Sequence, residues 1–184
     1  MKIAVCCSSS DDIDEKYIES SRKLLEKIFK EENELVFGAN NSGIMGVAYK
    51  AAKQYNRYIT GIAPKIYKEK FEYLECDTEI LTESVGNRTE ELFNNSDMLL
   101  FLPGGVGTIY EFISALEMKR SHEFDKPIIV YNETGFFDEM LQMLNKVYKR
   151  NFTSTQVMES YNVANDYLTV MDLLGKVLRE DEEG

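Results

Sequence analysis

The run from Pro103 to Glu111, PGGVGTIYE, carries the residues best suited to chemistry in this chain. It follows the apolar stretch Leu99 to Leu102 and precedes a helical pattern, so it reads as a turn from a buried strand into a helix. Glycines in such a turn let successive backbone N–H groups converge, and the helix behind them adds the positive end of its dipole. The ligand that suits this seat is a phosphate. Glu111 stands one turn into the helix, beside the seat, where a carboxylate serves as acid or base. Thr108 and Glu111 also have the T-x-x-E spacing of a capping box, in which Glu111 would only close the helix start, worth about 1 kcal/mol.

Arg88 is the second residue of interest. Its surroundings, Gly86-Asn87-Arg88-Thr89-Glu90-Glu91, read as a helix start, where a cation opposes the helix dipole. It therefore calls for a partner, either a carboxylate or a ligand, unless it simply extends into solvent. Ser9 and Ser10 follow the first strand and offer hydroxyls to a ligand, or else only shape the loop and cap the next helix. Gly43 and Gly46 permit a close helix start or serve packing alone. His122, the single histidine, ends a helix where it suits the dipole, and one histidine builds no Ser/His/Asp set. Cys6, Cys7 and Cys76 show no metal-ligand spacing and read as reduced, buried thiols of a cytoplasmic protein.

These residues need a frame. Strand-like runs are expected at Lys2–Cys7, Glu34–Phe37, Tyr58–Ala63, Thr78–Thr82, Asp97–Leu102, Lys126–Tyr131 and Tyr161–Ala164. Helical patterns fall between them, at Ile13–Lys30, Gly43–Tyr55, Arg88–Asn94, Ile109–Arg120, Phe136–Tyr148 and Tyr167–Leu178. Residues 65–76 read as irregular or a short helix, and 149–160 as a polar loop. Alternating strands and helices imply crossover units and a mainly parallel sheet. Strands such as MLLFL and PIIV are apolar on both faces, as a sheet covered on both sides requires. The expected fold class is α/β, a Rossmann-like three-layer sandwich forming one domain over 1–184, with 178–184 a frayed acidic tail. Ligands in such sheets bind beyond the carboxyl ends of the strands.

In the helix after the glycine turn, Ile109, Phe112, Ile113 and Leu116 form a stripe expected to face the sheet, with Glu111 roughly opposite. The rest of its surface is mostly small or apolar too. Such a helix is usually covered on both sides, which suggests a homodimer packed across it, or else a later helix of the same chain. The net charge of −11 over 184 residues argues against nucleic acid and against an anionic membrane surface. The chain begins directly with a strand, so no signal peptide is visible, and no apolar run reaches the roughly 20 residues of a membrane span.

Together these residues resemble the Lonely-guy (LOG) family of cytokinin riboside 5′-monophosphate phosphoribohydrolases and related nucleotide 5′-monophosphate nucleosidases, formerly called lysine decarboxylase-like. Pro103 to Glu111 matches the family's PGGxGTxxE, and Arg88 stands 15 positions before that proline, as the family's arginine does. Cys7, Ser9 and Ser10 match its C-G-S-S strand end. Phe37-Gly38 through Gly43-Ile44-Met45-Gly46 resembles Y-G-G-G-x-x-G-L-M-G. Asp125-Lys126-Pro127, Asn132 and Gly135-Phe136-Phe137 resemble D-K-P…N…G-[YF]-[YF]. The match runs from about residue 2 to 150 in order. Two positions depart: Ala39-Asn40 where the family has glycines, and Thr89 where it commonly has lysine.

The resemblance implies cleavage of the N-glycosidic bond of a nucleoside 5′-monophosphate, AMP or an N6-substituted AMP, giving free base and ribose 5-phosphate. It implies Arg88 and Glu111 as catalytic residues, a homodimer, no metal and no cofactor. The residues expected at substrate and phosphate are Gly104, Gly105, Val106, Gly107, Thr108, Ser9, Ser10, Gly43 and Met45. The alternative is a Rossmann-like sensor or carrier that holds a nucleotide without cleaving it. Lysine decarboxylation fits poorly, since no lysine is convincingly placed for a pyridoxal phosphate Schiff base.

Overall fold

The computed structural model describes residues 1–67 and 74–183. Strand β1 (Lys2–Cys6) leads to helix α1 (Glu15–Lys30), then β2 (Glu34–Phe37), α2 (Gly43–Gln54), β3 (Ile59–Pro64), a short 3-10 turn (Lys65–Tyr67) and β4 (Thr78–Thr82). Helix α3 (Val85–Asn94) returns to β5 (Met98–Phe101), followed by α4 (Val106–Arg120), β6 (Ile128–Tyr131), α5 (Asp138–Lys149), α6 (Thr155–Glu159), β7 (Asn162–Ala164) and α7 (Tyr167–Glu183). The seven strands form one parallel sheet in the order β4-β3-β2-β1-β5-β6-β7. This is the expected α/β three-layer fold.

Alternation along β1 shows how the sheet acquires two cores. Ile3 and Val5 enter one cluster with Leu24, Leu25 and Ile28 of α1, Ile44 and Ala48 of α2, and Val170 and Leu174 of α7. Ala4 and Cys6 enter the other, with Leu92 and Phe93 of α3, Phe112 and Ala115 of α4, and Val157 of α6. Successive side chains point to opposite faces, so a strand apolar throughout holds helices on both.

The chain winds outward from β1 through β2, β3 and β4. Helix α3 then carries it back across the sheet to β5, on the other side of β1. Between β1 and β5 the direction of winding reverses, and the loops leaving these two strands diverge to open a cleft. Both glycine- and serine-rich turns, after β1 and after β5, lie at this point. They are tied together where Ser8 N–H donates to the Pro103 carbonyl at 3.0 Å.

Caps fix the helices that frame the cleft. The Ser84 hydroxyl accepts from the Asn87 N–H at 3.1 Å and starts α3 at Val85, three residues before the expected start. At the other end of α3 the Lys126 ammonium donates to the Phe93 and Asn94 carbonyls (2.6 and 3.3 Å), a cation on the negative end of the dipole. The resembled D-K-P segment thus anchors the helix that carries Arg88. Asn132 accepts from the Phe137 N–H and donates to Asp138, folding the chain into α5.

Three further differences from the sequence expectation have simple causes. The polar loop after α5 contains α6. The acidic run Arg179–Glu183, expected as a frayed tail, continues α7 to Glu183. Thr108 is the third residue of α4, whose N-cap is Gly105 without a side-chain cap, so Thr108 and Glu111 form no capping box.

Gly43 shows how closely the cleft loops pack. Its φ is +57°, and a Cβ there would lie 2.5 Å from the Ser10 carbonyl oxygen and 2.9 Å from that of Ser8. Backbone strain and collision combine, so Gly43→Ala is expected to lower unfolding stability by about 2–4 kcal/mol in urea denaturation. A loss below about 0.5 kcal/mol, within the range of a neutral surface change, would mean the serine loop yields freely.

Candidate active site

Arg88 comes from the second turn of α3, and Glu111 from the second turn of α4. The two helices lie on the same face of the sheet and bring these side chains together above the end of β1. The Arg88 Nη2 donates to Glu111 Oε1. The side chain of Glu111 is 3% exposed and that of Arg88 16%. The partner that Arg88's position called for is therefore a carboxylate, 23 residues further along the chain. The buried Arg88 Nε finds no partner among the described residues. Incomplete satisfaction of a buried polar group is uncommon and concentrates where function demands it.

Glu111 does not face away from the sheet as its periodicity suggested. The buried stripe of α4 is Thr108, Glu111, Phe112, Ala115 and Leu116, while Ile109 and Ile113 are exposed. The reason is that α4 is apolar or small nearly all round, so two stripes competed and hydrophobicity could not choose between them. The edge-to-face contact of Phe112 with Phe101 and the bond to Arg88 select the one containing Glu111.

Burial raises the Glu111 carboxyl above its ordinary range, and this is the largest influence on it. The Arg88 charge and hydrogen bond, together with the neighbouring Cys6 thiol, pull in the opposite direction. Burial likewise pushes the Cys6 and Cys7 thiols well up, and the Glu111 charge adds to the effect. Both cysteines are therefore neutral and poorly nucleophilic.

Two cavities open beside the pair. One, of 260 Å³, is lined by Cys7, Ser8, Ser9, Ser10, Met45, Arg88, Gly105, Gly107, Thr108 and Glu111. The other, of 270 Å³, is lined by Ser9, Gly38, Ala39, Asn40, Met45, Ala63, Pro64, Tyr67 and Arg88. They share Ser9, Met45 and Arg88, so they adjoin across the guanidinium. Together they approach the size usual for a small-molecule site, about 300–1,000 Å³. Larger hollows lie elsewhere: 510 Å³ beside Lys119 and His122, and 770 Å³ beside Met1 and Leu178. Neither holds a buried ion pair, and the first is at the far end of α4.

The first cavity meets the open start of α4. Gly105 and Gly107 have free space where a side chain would stand, and the first turn of α4 carries no side-chain cap. Its leading N–H groups take no side-chain cap and leave room for an acceptor from outside the helix. Gly105, Gly107, Thr108, Ser9, Ser10, Met45, Arg88 and Glu111 are thus brought together as expected. Gly104 is not a lining residue: it sits beneath Thr108, where a Cβ would come within 2.1 Å of Oγ1. The Val106 side chain points to solvent. Gly43 packs against the serine loop, and its N–H donates to Asp11 Oδ1 at 2.8 Å.

Sequence reasoning passed over Gly38 as a contributor. A Cβ there would press on the Arg88 guanidinium at 3.1 Å and on Met45 at 3.3 Å, so its lack of a side chain admits the arginine. Its place at the end of β2, next to β1, was the available signal. Ala39 follows with φ +51° and is buried, a left-handed conformation that a glycine would hold without strain. The Asn40 Oδ1 accepts from the Ser42 N–H at 2.9 Å, which holds the side chain at the cavity wall. Pro64 and Tyr67 close the far side.

A buried carboxylate–guanidinium pair beside an uncapped helix start, at the switch point of the sheet, marks the chain as a doubly wound α/β protein with its candidate site at the strand ends. Residues 45–174 match the profile of the family described as "Possible lysine decarboxylase". The chain belongs to that family. It is 28% identical over 155 residues to cytokinin riboside 5′-monophosphate phosphoribohydrolase LOG2 of Arabidopsis thaliana, covering 84% of this chain and 73% of the relative. To LOG4 of the same plant it is 26% identical over 167 residues, covering 86% and 74%. Among solved structures it superposes on the molybdenum cofactor binding protein of Rippkaea orientalis with a TM-score of 0.71, at 20% identity and 96% coverage of each chain. The molybdenum cofactor carrier protein of Chlamydomonas reinhardtii gives 0.69, at 19% identity, covering 97% of this chain and 98% of that one. These likenesses carry the fold. Among the described residues no helix is long and apolar enough to cross a membrane.

Proposed function

We propose that this protein hydrolyses the N-glycosidic bond of a nucleoside 5′-monophosphate, with AMP or an N6-substituted AMP as substrate. The observation that carries the reading is the Arg88–Glu111 pair beside the uncapped start of α4. The phosphate sits against the N–H groups of Gly105 to Thr108, and the ribose lies over Glu111. As the C1′–N bond breaks, its electron pair leaves with the base, which takes up a proton. The sugar acquires oxocarbenium character, as in glycoside hydrolysis. The Glu111 anion stabilises that charge and orients the attacking water, whose oxygen bonds to C1′ while the proton it gives up balances the one taken up by the base. Arg88 keeps Glu111 ionised and in place. Family membership and relatives named as phosphoribohydrolases support the reading. Among the described residues no lysine lines either cavity.

Incubation with AMP and with a cytokinin riboside 5′-monophosphate, followed by chromatography, should yield free base and ribose 5-phosphate. A second reading, a carrier that holds the nucleotide intact, is favoured by Ala39 and Asn40, whose side chains take space in the second cavity. Ligand-induced thermal stabilisation without any base released would establish that reading instead.

A homodimer across α4 belongs to the proposal. Val106 is 84% exposed, and Ile109, Tyr110 and Ile113 join it in an apolar face next to an apolar groove between α3 and α4. Contiguous exposed apolar residues of this kind mark association surfaces. Sedimentation should give a dimer for the native chain and a monomer for Ile113→Asp. A native chain that sediments as a monomer at micromolar concentration would remove the dimer. The free thiols agree with a cytoplasmic setting.

A further inference from the structure

The mechanism above uses the first cavity and leaves the second without a task. The two adjoin across Arg88, and the second, of 270 Å³, has apolar walls at Ala39, Met45, Ala63 and Pro64. With the phosphate at the start of α4 and the ribose over Glu111, the base extends past Arg88 into this space. Apolar walls suit a planar ring, and a few placed polar groups then decide which ring is held.

Asn40 is such a group. It lines the second cavity and not the first. Its Oδ1 accepts from the Ser42 N–H at 2.9 Å. A backbone N–H bonds an oxygen, so the orientation of the amide is settled and Nδ2 is the end left over. Nδ2 carries two N–H groups and donates to no partner among the described residues. The loop that holds it is pressed onto α2, where a Cβ at Gly46 would stand 2.5 Å from the Asn41 carbonyl oxygen. The donor is therefore held in place before a ligand arrives, which lowers the entropy cost of using it. A glycine here, as in the resembled motif, would offer no such group.

We propose that Asn40 is a specificity-determining residue, whose Nδ2 donates to a ring nitrogen on the edge of a purine base in the second cavity. This rests on the reading of the cleft as a nucleoside 5′-monophosphate site, and it names what the base must present there. A purine ring nitrogen such as N7 is an acceptor, and a C–H in its place is not.

The test is calorimetric binding of AMP, 1-deaza-AMP and 7-deaza-AMP, all in the Glu111→Gln background so that the nucleotide stays intact. Each analogue replaces one ring nitrogen by C–H and keeps the shape. With Asn40 present, one of the two should bind about 3–10-fold more weakly than AMP, the worth of one modest hydrogen bond. In Asn40→Ala and Asn40→Asp that ratio should fall towards one. Asn40→Asp keeps the oxygen that the Ser42 N–H needs, so the turn survives there even if Asn40→Ala misfolds. Its added charge weakens all three nucleotides alike and drops out of the ratio. Both analogues binding as AMP does, with Asn40 present, overturns the proposal. So does a loss of the same size in the Asn40 variants, since the ring nitrogen would then have another partner. Failure of AMP to bind with Asn40 in place is a different result: it removes the nucleotide reading itself, and the role of Asn40 with it.

Discussion

Glu111→Gln is expected to reduce base release from a nucleoside 5′-monophosphate by about 10²–10⁴-fold while leaving nucleotide binding within a few-fold of native. The amide has the size of the carboxylate and still accepts from Arg88, so the cavity keeps its shape. It lacks the negative charge that a developing oxocarbenium requires. In the native protein kcat/KM should fall as the pH drops, because the carboxyl takes up a proton. Burial raises this carboxyl, so the fall should come above the ordinary carboxylate range. Steady-state kinetics across pH, with binding followed by calorimetry, checks both parts. Turnover in the variant equal to native would end the role given to Glu111.

Arg88→Ala should be as damaging to turnover and also costly to the fold. It leaves Glu111 buried with its principal counter-charge gone, and removing one partner of a buried pair typically costs about 3–5 kcal/mol. Arg88 lines both cavities and keeps some contact with solvent, so the lower end of that range applies. The pH dependence has a definite sign. A carboxyl raised in the folded state binds its proton more tightly there than in the unfolded chain. Its contribution to stability is therefore largest in acid and falls as pH rises through the raised value. Without Arg88 that value climbs further, so the variant's deficit should be large at neutral pH and shrink on acidification. Urea denaturation at two pH values measures it. A deficit independent of pH would mean that Arg88 matters for packing and not for the charge on Glu111.

Much of the frame was legible. Strands apolar on both faces, separated by amphipathic helices, left little choice but a covered parallel sheet, and β2 and β4 begin and end where their composition said. Arg88 was conspicuous for a physical reason, a cation near the start of a helix, and that reason led to its carboxylate. What could not be read was set by contacts far apart in sequence or by degenerate patterns. Helix α4 offered two apolar stripes, and only Phe101 and Arg88 choose between them. Val85-Gly86-Asn87 are poor helix formers, and the Ser84 cap brings them into α3 regardless. The approach of Gly38 to Arg88 spans 50 residues and leaves no local trace.

Asp11 gives the cleft a direction. Two helices, α2 and α4, begin at the switch point, and each would attract an anion. The start of α2 already holds the chain's own carboxylate, bonded to the Gly43 N–H. The start of α4 takes no side-chain cap among the described residues. The second cavity, walled by Gly38 to Asn40, Pro64 and Tyr67, borders the same Arg88 guanidinium as the first, so one cation faces both halves of the cleft. An anionic guest, as proposed, therefore meets one free helix start in the cleft and not two.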